Sequence, residues 1–317
     1  IGRDLFTAPL NTTLRQFEEA DNFGSLIRPD VTDVNAILRV LETKNVSSEL
    51  FLSMTHQKVM KALRQADYLS SKYDVVIANP PYAGSRGLNG QLKNWLSKNY
   101  PNSKSDLFSA FIERSIDLTV KYGYNALVTM ETWMFLSSYE SLRTALLSKS
   151  SILTMTHMPY LGKGGTSMGI SFGTTAYVSL VSDKSDIPAE YICVRYYETD
   201  EYGVPTVFPV ENERRRRVSA SEFLHIPGSP IAYWISDNAM KAFRDGIELG
   251  KFSTTRKGMV TANNDLFVRG WQEVSERLCN FDAKCREDAM LSSRKWFPYI
   301  MGGDYRKWYG NREYVVN

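Results

Sequence analysis

The chain has 317 residues, 43% of them hydrophobic and 12% aromatic, a length that suits one large domain or two ordinary ones around a substantial core and excludes a small binding module. Its 38 basic and 35 acidic residues leave a net charge of +3, too mild to demand a polyanionic partner and no bar to one. Three cysteines without C-x-x-C spacing speak against a disulfide framework or a zinc site, and no apolar run approaches the roughly 18 residues of a membrane span. The expectation is a soluble, cytoplasmic protein with no metal and no membrane partner. The chain opens on Ile1 and stops inside the strand-like "NREYVVN", so it reads as an internal part of a larger protein.

Residues 1–30 are mixed, with turn chemistry at Asn22 and Gly24. From Val34 to Leu69 the period is helical, broken near "TKNVSS", with Ile37, Val40 and Leu41 on one face and Val59, Leu63 and Ala66 on another. Tyr73–Ala78 reads as a strand, and its uninterrupted apolar residues suit one covered on both faces, as in a parallel sheet. "DLFSAFIERSIDLTV" (106–120) is an amphipathic helix capped by Ser105 or Asp106. "KYGYNALVTM" reads as a glycine turn and a strand, and "SSYESLRTALLSKS" as a short helix. "ILTMTHM" and "GTTAYVSLV" (173–181) are further strands, joined through the Gly-rich "LGKGGTS" (161–167), which reads as a crossover. This alternation predicts an α/β layer with a mostly parallel sheet. After about residue 183 the texture turns loop-rich, charged and Trp-rich, placing a boundary between 183 and 230.

The stretch that carries chemistry is "SKYDVVIANPPYAGSRG" (71–87). At the end of a parallel strand, where open α/β sheets bind ligands, Asn79 brings a carbonyl acceptor and an amide. Pro80 and Pro81 fix the backbone and remove competing N–H donors, which leaves the Pro80 carbonyl as a rigid second acceptor. Two acceptors at fixed separation can grip a planar –NH₂ group, and Tyr82 supplies a ring to stack on the system that bears it, worth about 1–3 kcal/mol. The structural alternative is a strand-ending turn in which Asn79 caps and Tyr82 packs. His56, His157 and His225 stand apart in the sequence, without ligand spacing, and carry no role.

An apolar strand followed by "NPPY" resembles the catalytic motif of the amino methyltransferases, which move a methyl group from S-adenosylmethionine to adenine N6. "NPPYAGSRGLNGQLKNWLSKNYPNSKSDLF", "PGSPIAYWIS" and "KWFPYIMGGDYRKWYGN" together resemble the PglX adenine methyltransferases of BREX phage-defence systems, across nearly the whole chain. The resemblance implies catalytic roles for Asn79, Pro80, Pro81 and Tyr82. Phe111 in the helix would border the cofactor adenine, and Asp21 within "EADNFGSLI" (19–27) would accept from its amine. Phe172, or Tyr160 in its place, would stack on the flipped base opposite Tyr82. It further implies a Rossmann-like sheet over 1–182, a connecting segment at 183–230 and the start of an α+β target-recognition domain at 231–317. No acidic residue leading into G-x-G precedes the strand, so the first sheet strands and most of the cofactor pocket would come from sequence ahead of Ile1. This stretch alone would then bind S-adenosylmethionine poorly and be inactive.

An adenine must leave the duplex to be methylated, so double-stranded DNA is the expected partner, together with other BREX proteins and phage-encoded inhibitors. Arg214–Arg217 offer four adjacent guanidinium groups as a phosphate clamp, or else form a solvated charge run beside Glu211 and Glu213. Arg256, Lys257, Asn263, Asn264 and Arg269 are candidate base and phosphate contacts. Around "SRKWFPYIMGGDYRKWYGNR" the expectation is that Trp296 and Trp308 pack rather than stack on bases. Two competing readings stay open: a type IIG restriction enzyme, and a DNA-recognising or inhibitor-sensing subunit with little transfer activity.

Overall fold

The computed structural model describes residues 7–30, 34–43, 50–84, 87–160, 172–183, 187–202, 204–254 and 258–317. They form two units, Ile1–Gly246 and Ile247–Asn317.

The first unit begins with α1 (Thr7–Gln16), α2 (Ala20–Phe23), α3 (Val34–Glu42) and α4 (Leu50–Ser70). Phe17, Ile27, Val34, Leu38, Met60, Leu63 and Ala66 close a small core among them. Of the face expected of α3, Ile37 and Leu41 pack against this core beside buried Val34 and Leu38, while Val40 is exposed. α4 ends just before β1 (Tyr73–Ala78); α5 (Gly90–Asn99) and α6 (Leu107–Leu118) then lead to β2 (Thr119–Met130). Buried Arg114 of α6 donates to the carbonyls of Ser25 (3.1 Å), Ile27 (2.9 Å) and Leu69 (2.6 Å), tying the helical layer to the sheet helix.

α7 (Glu140–Lys149), β3 (Ser150–Met158), β4 (Thr174–Val181), β5 (Pro188–Cys193), β6 (Arg216–Ser219) and α8 (Asp237–Asp245) complete the unit. The sheet order is β1-β2-β4-β3-β5-β6. β1 is parallel to β2 and β3 to β5, whereas β4 is antiparallel to both its neighbours and β6 to β5. The α/β class holds, but the sheet is mixed rather than mostly parallel. Alternating apolar segments do not reveal direction, and β4 turns back to fill the place between β2 and β3.

α6 and α7 cover one face of this sheet with Phe108, Ile112, Leu142 and Leu146 against Leu127, Ile152, Met155 and Tyr177. On the other face Ile77, Ala126, Val128, Thr156, Ala176 and Val178 line an open trough of about 400 Å³. Among the described residues β1 lies at one end of the sheet order, with Val75 and Ile77 55% and 77% exposed. The glycine turn expected in "KYGY" is a bulge within β2. Tyr122 takes φ 66°, pairing steps from Tyr73↔Thr119 to Val75↔Tyr124, and a Cβ on Gly123 would stand 2.7 Å from the Asp74 carbonyl.

The 183–230 segment, expected to connect, supplies β5 and β6 to the sheet, and Phe223, Ile231, Tyr233 and Met240 join its main core. Buried Arg143 fastens this return by donating to the carbonyls of Trp133 (2.9 Å), Leu136 (2.7 Å) and Gly228 (2.6 Å).

The second unit holds α9 (Asn264–Phe267), β7 (Val268–Gly270), α10 (Arg286–Leu291), β8 (Phe297–Tyr299) and β9 (Tyr314–Val316). β9 lies between β7 and β8, antiparallel to both, with Val315 and Val316 buried. Among the described residues no helix is long and apolar enough to cross a membrane, and no cluster of metal-ligating side chains occurs.

Candidate functional site

β1 stops where Pro80 and Pro81 remove two ladder donors in succession, and Asn79 is left exposed at the carboxyl end of the strand. Pro80 is buried, so its ring anchors the turn. The Tyr82 hydroxyl lies 3.1 Å from Asn79 Oδ1 and 3.0 Å from the Val128 carbonyl of neighbouring β2. Burial pushes the Tyr82 pKa up, so the phenol keeps its proton and acts as a donor to those acceptors. Its ring stands edge-on to Phe108 (centroids 6.1 Å apart, 82°) and to Phe172 (5.4 Å, 84°). Phe172, remote in sequence, thus shares one corner at the strand ends with Asn79 and Tyr82. The Asn79 acceptor that would take an amine proton is engaged by the Tyr82 hydroxyl, which must yield it to a ligand.

The turn is held from behind. The Asp106 carboxylate, at the N-terminus of α6, accepts from the Ala83 N–H at 3.1 Å, and Gly84 pairs with Asp106 as a β-bridge. Burial pushes the Asp106 pKa up, against the hydrogen bonds from the backbone of Ala83, Leu107 and Phe108. Sequence reading marked Asp106 only as a helix cap; its hold on the loop after Tyr82 depends on a contact 23 residues apart.

A second network escaped the sequence altogether. His157, at the end of β3 and buried, contacts Glu131 Oε2 through Nε2 at 2.7 Å and the Tyr233 hydroxyl through Nδ1 at 2.8 Å. Glu131 directly follows β2, and its N–H donates to the Gly173 carbonyl at 2.9 Å, next to Phe172. A Cβ on Gly173 would fall 2.1 Å from the Glu131 carboxyl carbon, so only glycine admits this carboxylate. The three side chains lie 26 and 76 residues apart, and no spacing rule links them. Tyr160, the alternative to Phe172, gives its N–H to Glu131 Oε1 at 3.4 Å.

The residues assigned to a cofactor are less concentrated. Asp21 lines a groove with Phe17, Lys58, Lys61 and Gln65. Phe111 packs instead with Leu26, Leu92, Leu96 and Tyr100. Phe23, two residues from Asp21, packs against the same cluster as Phe111, so the two expected cofactor contacts lie on neighbouring elements.

The arginine run divides. Arg214 pairs with Glu198, and Arg215 with Glu190 (2.5 Å) and Glu211. Arg216 and Arg217 stand exposed on β6. Arg256 and Lys257 lie outside the described residues. Asn263 caps α9 by accepting from the Leu266 N–H at 3.1 Å, and Asn264 bonds Thr261 and the Met301 sulfur (3.7 Å); both border an open pocket with Met259 and Tyr299. Trp296 is half-buried, its N–H bonded to the Leu278 carbonyl at 3.0 Å, whereas Trp308 is largely exposed. The expected packing of both tryptophans holds for Trp296 alone.

With this geometry in view the chain can be set beside known proteins. The Eco57I restriction-modification methylase family matches residues 11–161, which include Asn79–Tyr82 and Asp106 and end just after β3, short of Phe172. The adenine-specific methyltransferase BrxX of Escherichia coli O9:H4 (strain HS) is 36% identical over 314 residues, covering 97% of this chain and 25% of that protein. The adenine-specific methyltransferase PglX of Lacticaseibacillus casei (strain Zhang) is 32% identical over 332 residues, covering 100% of this chain and 27% of that protein. The chain is a homologue of both. It spans about a quarter of their length. Among solved structures, the type I restriction-modification methyltransferase subunit of Streptococcus thermophilus matches 74% of this chain and 59% of its own, at 14% identity and a TM-score of 0.39.

Proposed function

We propose that this chain carries the base-binding part of a DNA adenine-N6 methyltransferase that uses S-adenosylmethionine and marks host DNA in phage defence. The observation that carries the reading is the corner of Asn79, Tyr82 and Phe172 at the end of β1, backed by Asp106. An adenine turned out of the duplex would enter beside Tyr82, displace its hydroxyl from Asn79 Oδ1 and present its amine to that oxygen and to the Pro80 carbonyl. Both acceptors draw on the amine hydrogens and raise electron density on a nitrogen otherwise conjugated into its ring. The Tyr82 ring stacks on the base and Phe172 closes its edge. When bound, S-adenosylmethionine supplies an electrophilic methyl group; orienting the amine, excluding water from its faces and holding its hydrogens are the tasks of these side chains.

The experiment is methylome sequencing of cells that carry the complete protein or its Asn79→Ala variant. Loss of N6-methyladenine from one sequence motif in the variant is the expected result. An unchanged methylome with lost phage protection would replace this reading by that of a recognition or sensing subunit.

A further inference from the structure

β8 and β9 pair from Phe297↔Val316 to Tyr299↔Tyr314, and residues 300–313, fourteen in all, connect them. Hairpin connections usually take about 2–5 residues, and structureless loops beyond about 12 are uncommon unless they serve a function. The neck of this one is closed by glycines. A Cβ on Gly303 would stand 2.8 Å from Asn311 Oδ1, and one on Gly310 (φ 152°) would stand 2.4 Å from Arg306 Cγ. Past the neck Tyr305, Trp308 and Tyr309 are 85%, 80% and 83% exposed. Lys307 Nζ sits 5.7 Å from the centroid of the Trp308 ring.

The charge around these rings leans positive. The loop holds Arg306, Lys307 and Arg312 against the carboxylates of Asp304 and Glu313, and Arg294 and Lys295 stand just ahead of β8. The ion pairs formed among the described residues include none of these five cations. Residues 302–313 contain no aliphatic side chain at all. A protein-docking hot spot sets its aromatic anchor in an apolar surround that excludes water. Rings alternating with cations on a projecting loop match a strand of bases and phosphates instead.

We propose that the 300–313 loop is a DNA contact: Tyr305, Trp308 and Tyr309 stack on bases displaced from the duplex, while Arg306, Lys307 and Arg312 meet backbone phosphates. The inference rests on the DNA methyltransferase reading only for the identity of the partner. It adds a contact outside the strand-end corner, and its test is one of binding rather than of transfer.

The probe is a fluorescein-labelled DNA duplex with one unpaired adenine, titrated by anisotropy with the full chain and with a Tyr305→Ala/Trp308→Ala/Tyr309→Ala variant. The variant is expected to bind about tenfold or more weakly with an unchanged melting temperature, because these rings are 80–85% exposed. Arg306→Ala/Lys307→Ala is expected to lower the slope of log affinity against log salt by about 2. Cross-linking with 5-iodouracil in the probe should label Tyr305, Trp308 or Tyr309. Equal affinity and salt slope for all three proteins would overturn the proposal, as would no binding by the unaltered chain or labels confined to other segments. Affinity, salt slope and cross-link position are read without any methyl transfer, so they stand or fall separately from the catalytic reading of the strand-end corner.

Discussion

The loop that ends β1 and the loop that joins β8 to β9 both offer aromatic rings beside polar groups, yet they are built in opposite ways. Tyr82 is held by two hydroxyl contacts and two edge-on rings, with Asp106 fixing the chain behind it. Tyr305, Trp308 and Tyr309 are largely exposed on a loop that closes on itself at Gly303 and Gly310. A corner that must present two acceptors to one amine gains from rigidity, since a displacement of about 1 Å from a productive geometry is costly. A surface that follows bases of varied sequence gains from rings that can turn. Preorganisation and adaptability thus sit in separate parts of the chain.

The comparison can be broken most decisively at Asn79. In the complete protein, Asn79→Ala should lower single-turnover methyl transfer by about 10²–10³-fold, the usual effect of deleting one preorganised partner of the reacting group. If DNA affinity falls in parallel, Asn79 is a binding residue and the division of labour is wrong. Tyr82 separates ring from hydroxyl. Tyr82→Ala should cost about 1–3 kcal/mol of base stacking, read as weaker transfer at limiting DNA. Tyr82→Phe should stay within about tenfold of the parent, because it keeps the ring and releases Asn79 Oδ1 from a contact that the substrate has to displace.

Asp106 tests whether the rigid corner needs its backing. Asp106→Ala strands the half-buried Ala83 N–H and should destabilise the fold by about 1 kcal/mol in urea unfolding, whereas Asp106→Asn keeps the acceptor. Because burial raises its pKa, the folded Asp106 binds its proton more tightly than the unfolded chain does. This group therefore makes stability fall as pH rises from its ordinary value of 3.8 through the raised one. The Asn variant should lose that component of the pH dependence. On the adaptable side, Trp308→Ala should change stability by no more than about 0.5 kcal/mol in the same assay, as for a surface position away from structural features. A larger loss would mean that the loop packs on something.

Much of the strand-end site was legible because its chemistry is contiguous. Asn79 to Tyr82 stand in a row after an apolar run, and backbone geometry alone assigns the prolines their task. Where function depends on residues meeting across the fold, sequence was silent: His157 had no assignable role, yet it joins Glu131 and Tyr233 behind Phe172. Arg214 and Arg215 read as half of a phosphate clamp until Glu198, Glu190 and Glu211 came alongside them.

By itself the sequence determined the alternation of strands and helices, the apolar stripe of α6 and the chemistry of Asn-Pro-Pro-Tyr, all of which follow from local periodicity and fixed dihedrals. Only the tertiary structure decided strand direction, the entry of the 183–230 segment into the sheet and which of its rings are covered. Each of those depends on what lies opposite a residue in space. The end of "ETDEYGVPTVFPVENERRRR" reads as a loop-rich charge run, yet Arg216 and Arg217 pair with Tyr191 and Glu190 as the start of β6. An apolar side chain states that it would rather be covered, and only the neighbours that the fold brings to it determine whether it is.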